Sequence, residues 1–129
     1  MTKTHFLDTP LYFSEEKAIR KIDAEGIITT VASLNYPKGI AVDSSGNIYF
    51  AKNHVVQRVD TNGILTIVAG NGVQGFSGDG GLATSAQLDY PDDVALDSFG
   101  NLYIVDSSNY RVRKVDTAGI ITTVAGNGS

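Results

Sequence analysis

The sequence predicts an all-β fold built from three related copies of one small antiparallel sheet. The first observation is internal repetition, because residues 36–72 return as residues 90–128 with roughly 20 of 37 paired positions identical. The second is that each full copy holds four short apolar runs separated by turn residues, and no stretch shows helical spacing. Repetition at an offset of 54 residues indicates an architecture in which neighbouring copies bury each other's apolar faces.

The first copy is the most altered of the three. Residues 23–32 match residues 116–125 almost one for one, and Leu11-Tyr12-Phe13 matches Leu102-Tyr103-Ile104. Phe6-Leu7-Asp8 then falls at the place of the innermost strand, with Thr9-Pro10 replacing a longer turn. We therefore expect residues 1–33 to form a degenerate first copy.

The second and third copies, 34–72 and 73–129, carry the complete pattern, and the third begins with a long connector. Strands are predicted in the third copy at 94–96, 102–105, 111–115 and 120–124. The turns between them are rich in Asp, Asn, Ser and Gly, which favour tight hairpin connections. Because the apolar runs are nearly continuous, we expect neighbours to cover both faces of each sheet. A four-stranded meander covered in this way is a blade of a β-propeller.

Three motifs in these copies are typical of a known repeat family. They are P-x-x-[IV]-A-[VL]-D-x-x-G-N-[IL]-Y, then R-V-R-K-V-D in the third copy, and V-A-G-N-G in both. These motifs resemble NHL repeats, and residues 75–88, GFSGDGGLATSAQL, resemble the connector of bacterial and teneurin-like NHL propellers. WD and kelch repeats are disfavoured, since the chain has no Trp and no paired-glycine strand. The resemblance implies a six-bladed ring, of which this chain supplies three blades.

Three blades leave apolar end faces and strand edges open. We therefore expect half of a six-bladed propeller that a homodimer completes through a two-fold axis. The alternative is that the chain is a piece of a longer protein.

Composition limits the function classes. Zero Cys excludes disulfides, thiol chemistry and zinc–thiolate sites. A net charge of −4 and a pI near 4.9 argue against a nucleic-acid partner. No signal peptide or membrane-spanning run is visible, which predicts no membrane partner and a cytoplasmic location by default, although relatives of the resembled family are often exported.

The loops between the second and third strands are predicted to share one face with the connector. By resemblance this is the ligand face of propellers, and it presents polar candidates from both loops and from the connector. The candidates are Asn53, His54, Asp79, Asp92, Asp93, Asp106, Asn109, Tyr110 and Arg111. The connector itself is interpreted as a packed loop anchored by Phe76 and Leu88, with glycines at its bends rather than in an anion-binding nest.

No catalytic set and no cofactor is predicted on this face. Asp79, Asp92 and Asp106 would be the ligands if Ca²⁺ bound, but no Asp-x-Asp-x-Asp-Gly spacing is present, so a solvated acidic rim is the favoured interpretation. His54 is expected to be an exposed loop residue. Arg111 is expected to pair with Asp106 or to cap backbone carbonyls.

Two functions follow. The first is a non-catalytic scaffold that self-associates and binds a protein, peptide or glycan through the loop face. The alternative is a metal-dependent enzyme resembling propeller lyases or lactonases, with the same carboxylates around a central ion.

Overall fold

A computed structural model describes residues 10–129, which form three antiparallel sheets. The strands are β1 (Leu11–Glu15), β2 (Ala18–Ile22), β3 (Ile28–Ser33), β4 (Lys38–Val42), β5 (Ile48–Lys52), β6 (Val55–Val59), β7 (Leu65–Ala69), β8 (Asp93–Leu96), β9 (Leu102–Asp106), β10 (Arg111–Val115) and β11 (Ile121–Ala125). Sheet 1 (β1–β3) lies in a compact part that ends at Pro37, and sheets 2 (β4–β7) and 3 (β8–β11) form a second part, Lys38–Ser129.

Sheet 1 is a meander in the order β1-β2-β3. The predicted innermost strand at Phe6-Leu7-Asp8 lies outside the described residues. Leu11 pairs with Ile22, which pairs in turn with Ile28, so these three apolar side chains form one row across the sheet. Ile19 is fully buried and anchors the middle of the sheet.

Sheets 2 and 3 are the four-stranded meanders that the repeats predict, with strand ends within one residue of the expected positions in sheet 3. The hairpin turns follow the Asp-x-x-Gly pattern. The Oδ1 atom of Asp97 accepts the backbone N–H groups of Phe99 and Asn101 at 2.9 Å, and Gly100 has a φ of +88° that favours glycine. Since these bonds are local, the turn residues alone specify where each hairpin closes.

One apolar core joins sheets 2 and 3. It contains Ala51, Val56 and Ala69 of sheet 2, the connector residues Ala83, Ala86 and Leu88, and Val94, Leu102, Ile104, Val115 and Ile121 of sheet 3. Each fully buried Leu or Ile stabilises the fold by roughly 1.5–3 kcal/mol. The connector is therefore part of the core between the two sheets.

One face of sheet 3 is open, as expected for the last of three blades. Val105 and Val124 are 40% and 49% exposed on this sheet, whereas Leu102 and Ile104 are buried. The reason is that, within the second compact part, sheet 3 has a neighbouring sheet on one face only. Among residues 10–129, no helix has the length and apolar character needed to cross a lipid bilayer.

Candidate functional site

The connector is docked on the edge of sheet 2 by backbone hydrogen bonds. The N–H of Gly70 donates to the carbonyl of Ala83 at 2.9 Å, and the N–H of Asn71 donates to the carbonyl of Ala86 at 2.8 Å. Ala83, Ala86 and Leu88 are almost completely buried. The prediction of a packed loop with Leu88 as an anchor is confirmed, and the two alanines are anchors that sequence reasoning missed.

The glycines of the connector serve its packing. A Cβ atom on Gly78 would lie 2.6 Å from the Cβ of Ala86, so only glycine allows the two segments to approach this closely. The N–H groups of Gly75, Gly80 and Gly81 donate to carbonyls of the protein itself. Because these donors are already used, the loop does not present them to an anion.

The side chain of Arg113 joins the connector to sheet 3, in addition to backbone hydrogen bonds at Gly119 and Ile121, and Arg113 is not among the predicted candidates. Its guanidinium is fully buried and lies 3.1 Å from Asp106 Oδ2 and 3.0 Å from Asp79 Oδ1. The same group donates to the carbonyls of Ser77 and Gln87 at 2.9 and 3.1 Å. One arginine thus holds both ends of the connector and the end of β9.

A sequence signal for this role exists in the second copy. There, Lys52 and Gln57 occupy the positions of Asp106 and Arg113. The third copy, which follows the long connector, therefore has an acid–arginine pair where the second copy has lysine and glutamine.

Arg111 behaves as one of its two expected alternatives. Its NH1 and NH2 groups donate to the carbonyls of Asn109 and Asn127 at 3.4 and 3.3 Å, so it caps backbone carbonyls, and Arg113 takes the pairing with Asp106. The guanidinium carbon of Arg111 lies 3.7 Å from the centre of the Phe76 ring. Phe76 is held by this cation–π contact while 38% exposed, which makes it a surface anchor rather than a buried one.

The solvated acidic rim is wrong for one of its members, Asp106, and a second member, Asp79, is exposed but hydrogen-bonded. Asp106 is fully buried, and Asp79 accepts hydrogen bonds from Arg113 and from the Thr123 hydroxyl. Asp92 and Asp93 are exposed as expected. Among the described residues, no group of three or more His, Cys, Asp and Glu side chains is arranged to hold a metal ion. Asp79 and Asp106 instead share a protein cation.

The expectation of an exposed His54 is also wrong. Its side chain is 16% exposed and packs edge-on against the ring of Tyr90, with centroids 4.3 Å apart. Its Nδ1 atom accepts the backbone N–H of Tyr90 at 3.3 Å. His54 therefore joins the β5–β6 loop to the end of the connector.

Four candidates remain free to contact a ligand: Asn53, Asp92, Asp93 and Tyr110. Tyr110 is 65% exposed and has a φ of +53°. Asn109 is occupied, since its side-chain amide donates to the carbonyl of Gly75 and to Asp106. The loop face thus offers hydrogen-bonding and aromatic groups on a frame that internal contacts make rigid.

At the opposite end of sheet 3, Asp97 is the centre of a charged turn. The hydrogen bond from the Asn101 side chain lowers the pKa of Asp97, although desolvation opposes the change. Desolvation and the hydrogen bond that the Tyr103 hydroxyl donates to Asp97 raise the pKa of that hydroxyl. Asp97 is therefore held as an anion by its own turn.

Solved structures of similar fold share this sheet arrangement. A Bacteroides thetaiotaomicron protein of unknown function superimposes with a TM-score of 0.76 at 26% identity, covering 92% of this chain and 33% of that one. An auxiliary nutrient binding protein of Bacteroides ovatus gives 0.69 at 24% identity, covering 95% and 35%. Virginiamycin B lyase of Staphylococcus aureus gives 0.60 at 22% identity, covering 93% and 39%. The three sheets resemble propeller blades, and the chain spans about a third of these propeller chains.

Sequence relatives point to one family. Teneurin-1 of Caenorhabditis elegans is 47% identical over 47 residues, which is 36% of this chain and 2% of that protein. Teneurin-m of Drosophila melanogaster is 43% identical over 56 residues, which is 43% of this chain and again 2% of the relative. The teneurin NHL domain matches residues 29–76 and 71–129, and this chain belongs to that family.

Proposed function

We propose that the protein is a non-catalytic NHL scaffold that closes a six-bladed propeller by pairing two copies and binds a protein, peptide or glycan through the loop face. The proposal rests on one observation. Among residues 10–129, sheets 1 and 3 each have an exposed apolar row, and the two rows match the two halves of the buried contact between sheets 2 and 3.

The outgoing face of sheet 3 matches the buried face of sheet 2. In sheet 2, Ala51, Val56 and Ala69 pair across three strands and are all 0% exposed. In sheet 3 the same row is Val105, Val112 and Ala125, paired in the same register. Val105 is 40% exposed and Ala125 is exposed as well. We call this row the outgoing face.

The incoming face of sheet 1 matches the buried face of sheet 3. Leu102, Val115 and Ile121 form a row in sheet 3 whose members are at most 7% exposed. The corresponding row in sheet 1 is Leu11, Ile22 and Ile28, in which Leu11 is 53% and Ile28 49% exposed. We call this row the incoming face.

The charged pair beside the incoming face is repeated too. Arg20 lies 3.3 Å from Glu15, at the positions that Arg113 and Asp106 occupy in sheet 3. Sheet 1 therefore presents the same kinds of side chain that sheet 3 uses to contact sheet 2.

Pairing of the outgoing face with the incoming face of a second copy explains both exposures. Two such contacts, related by a two-fold axis, close a ring and leave no further face open. Covering each exposed Leu, Ile or Val side chain contributes on the order of 1 kcal/mol at these partial exposures. The same contact is already stable between sheets 2 and 3 within one chain.

Binding through the loop face fits the chemistry available there. Asn53, Asp92, Asp93 and Tyr110 offer donors, acceptors and an aromatic ring, which suit contact with a peptide or a sugar. A lyase or lactonase would need a set of metal-binding or proton-transferring groups. Asp79 and Asp106 are instead committed to Arg113, and no observation favours the enzyme.

The pairing is tested by the dependence of thermal unfolding on protein concentration. Folding linked to dimerisation raises the midpoint as concentration increases. Ile28→Arg places a charge on the incoming face and should abolish the dependence. Thr29→Arg, one residue along the same strand and exposed, is the matched control and should retain it. A midpoint independent of concentration in the unaltered protein contradicts the proposal.

The binding surface is tested on peptide and glycan arrays with labelled protein. Tyr110→Ala should lower the signal on any array spot that the unaltered protein binds. Phe99→Ala is the control, because Phe99 is 81% exposed in the turn at the opposite end of sheet 3. Equal loss in both variants, or in neither, counts against the loop face.

A further inference from the structure

The end of the outgoing face forms a groove. It is an open cavity of about 290 Å³, lined by Val105, Val112, Ala125 and Gly126 together with Ser107, Tyr110 and Arg111. We call it the terminal groove. Its floor is apolar, and the backbone N–H groups of residues 126 and 127 lie at its edge, where β11 ends.

The terminal groove has the features of the seat that the connector occupies on sheet 2. That seat consists of Ala51, Val56 and Ala69 beside Gly70 and Asn71, whose N–H groups bind the carbonyls of Ala83 and Ala86. The corresponding residues in sheet 3 are Val105, Val112, Ala125, Gly126 and Asn127. Strand register agrees throughout and the residues are identical at four of the five positions, while Val105 in place of Ala51 makes the floor more apolar.

The backbone of the terminal groove already has the docked conformation. Gly126 has a φ of +89°, the value at Gly70. A Cβ on Gly126 would collide with the carbonyl oxygen of Tyr110, just as one on Gly70 would collide with that of His54. Asn127 Oδ1 accepts the N–H of Ser129 at 3.1 Å, which repeats the turn that Asn71 makes with Val73 at 2.9 Å. A ligand would therefore meet a receptor edge that needs no rearrangement.

We propose that the terminal groove binds an Ala-x-x-Ala-x-Leu segment from a separate NHL polypeptide. The alanines are specified because Ala83 and Ala86, whose carbonyls bind the matching seat, are buried to 1% or less between sheets 2 and 3, where a longer side chain has no room. The carbonyls of those alanines would accept the N–H groups of Gly126 and Asn127. The leucine takes the place of Leu88, which is fully buried in the core.

This inference deepens the proposed function and rests on it only in what it says about the pairing of two copies. Between sheets 2 and 3 the connector and the second sheet occupy the space together, in one core. In the same way, a bound segment and a second copy could share the outgoing face, and the segment should then strengthen the pairing. Binding to the groove alone does not require the pair.

Titration by NMR tests the inference. Isotope-labelled protein is titrated with a synthetic peptide of residues 71–89, NGVQGFSGDGGLATSAQLD, to about 1 mM. Saturable shifts should map to the amides of Val105, Val112, Ala125 and Gly126. The matched peptide carrying Ala83→Glu and Ala86→Glu should cause no saturable shift at these sites.

Two protein variants control for surface charge. Ala125→Arg fills the terminal groove and should weaken peptide binding at least tenfold. Ala118→Arg places the same change in an exposed turn where the other copies carry Asn62 and Glu25, and it should bind as the unaltered protein does. Equal binding of both peptides, or by both variants, overturns the inference, as does the absence of shifts at the groove.

Light scattering on the same samples separates this inference from the proposed pairing. A dimer that does not bind the peptide overturns the groove assignment and leaves the pairing in place. Peptide binding to a monomer supports the groove assignment and contradicts the pairing.

Discussion

Replacing Arg113 with glutamine removes the cation that links the connector to sheet 3. Glutamine is the residue at the matching position of the second copy, Gln57, so the strand itself accepts it. The variant leaves Asp106 fully buried without its cation. Loss of one partner of a buried ion pair costs about 3–5 kcal/mol, and the amide of glutamine replaces only part of the lost hydrogen bonding. We expect a loss of about 4 kcal/mol, a large share of the stability of a small protein.

Urea unfolding followed by circular dichroism at one fixed protein concentration measures this loss. Asp79→Asn should cost only about 1 kcal/mol, because Asp79 is 36% exposed and the amide still accepts hydrogen bonds. Lys114→Gln, on the neighbouring position of the strand, should stay within about 0.5 kcal/mol of the unaltered protein. In the double variant with Asp106→Asn, the cost should be smaller than the sum of the single costs by about 1–3 kcal/mol. A loss for Arg113→Gln no larger than that for Lys114→Gln would refute the role of this network.

Two further predictions concern a close approach and a charged turn. Gly78→Ala should destabilise the fold by about 1–3 kcal/mol more than Gly80→Ala, because both glycines have positive φ but only a Cβ on Gly78 would clash with Ala86. Thermal unfolding of the two variants measures the difference. Equal losses would mean that the connector relaxes freely. The hydrogen bond from Asn101 lowers the pKa of Asp97 below its usual value of 3.8, so the stability this carboxylate contributes is complete above about pH 4 and is lost as pH falls through the lowered pKa. Asp97→Asn should therefore be less stable than the unaltered protein at pH 7, with a difference that shrinks below pH 4 in urea titrations; a difference that is constant with pH would argue against the shift.

The repeats and the turns could be predicted from sequence because they depend on neighbouring residues. The Asp97 turn closes through bonds to Phe99 and Asn101, all within five positions of the chain, so its residues suffice to locate it. The buried anchors Ala83 and Ala86 could not be found in this way. Their burial depends on the edge of sheet 2, more than ten residues away, and alanine carries no distinctive pattern of its own.

The assignment of the arginines shows the same limit. The R-V-R-K-V-D motif predicts its first residue, Arg111, as a candidate, but the register pairs Arg113 with Ile104, on the buried face, and leaves Arg111 at the end of the strand. The sequence alone places Arg113 on the buried face, because it lies two residues before the apolar Val115 and alternate residues of a strand share a face. Comparison of the copies also singles out Arg113, because Asp106 and Arg113 together replace Lys52 and Gln57.

The open faces of the end sheets agree with the expectation for three blades, but the sequence does not identify what covers them. Apolar runs indicate that a face is to be covered, but they do not say by what. Val105 and Leu11 are apolar in the same positions as the buried residues Ala51 and Leu102, so their exposure belongs to the isolated chain rather than to the repeat.

The molar mass in solution tests most directly whether the two open faces cover each other. Size-exclusion chromatography with light scattering, over a roughly hundredfold range of concentration, should show a single species whose mass reaches a plateau at twice 13.7 kDa. Ile28→Arg should stay at 13.7 kDa at every concentration, while Thr29→Arg should follow the unaltered protein. A folded species that remains at 13.7 kDa throughout, or one that grows beyond two copies without a plateau, would contradict the closed pair.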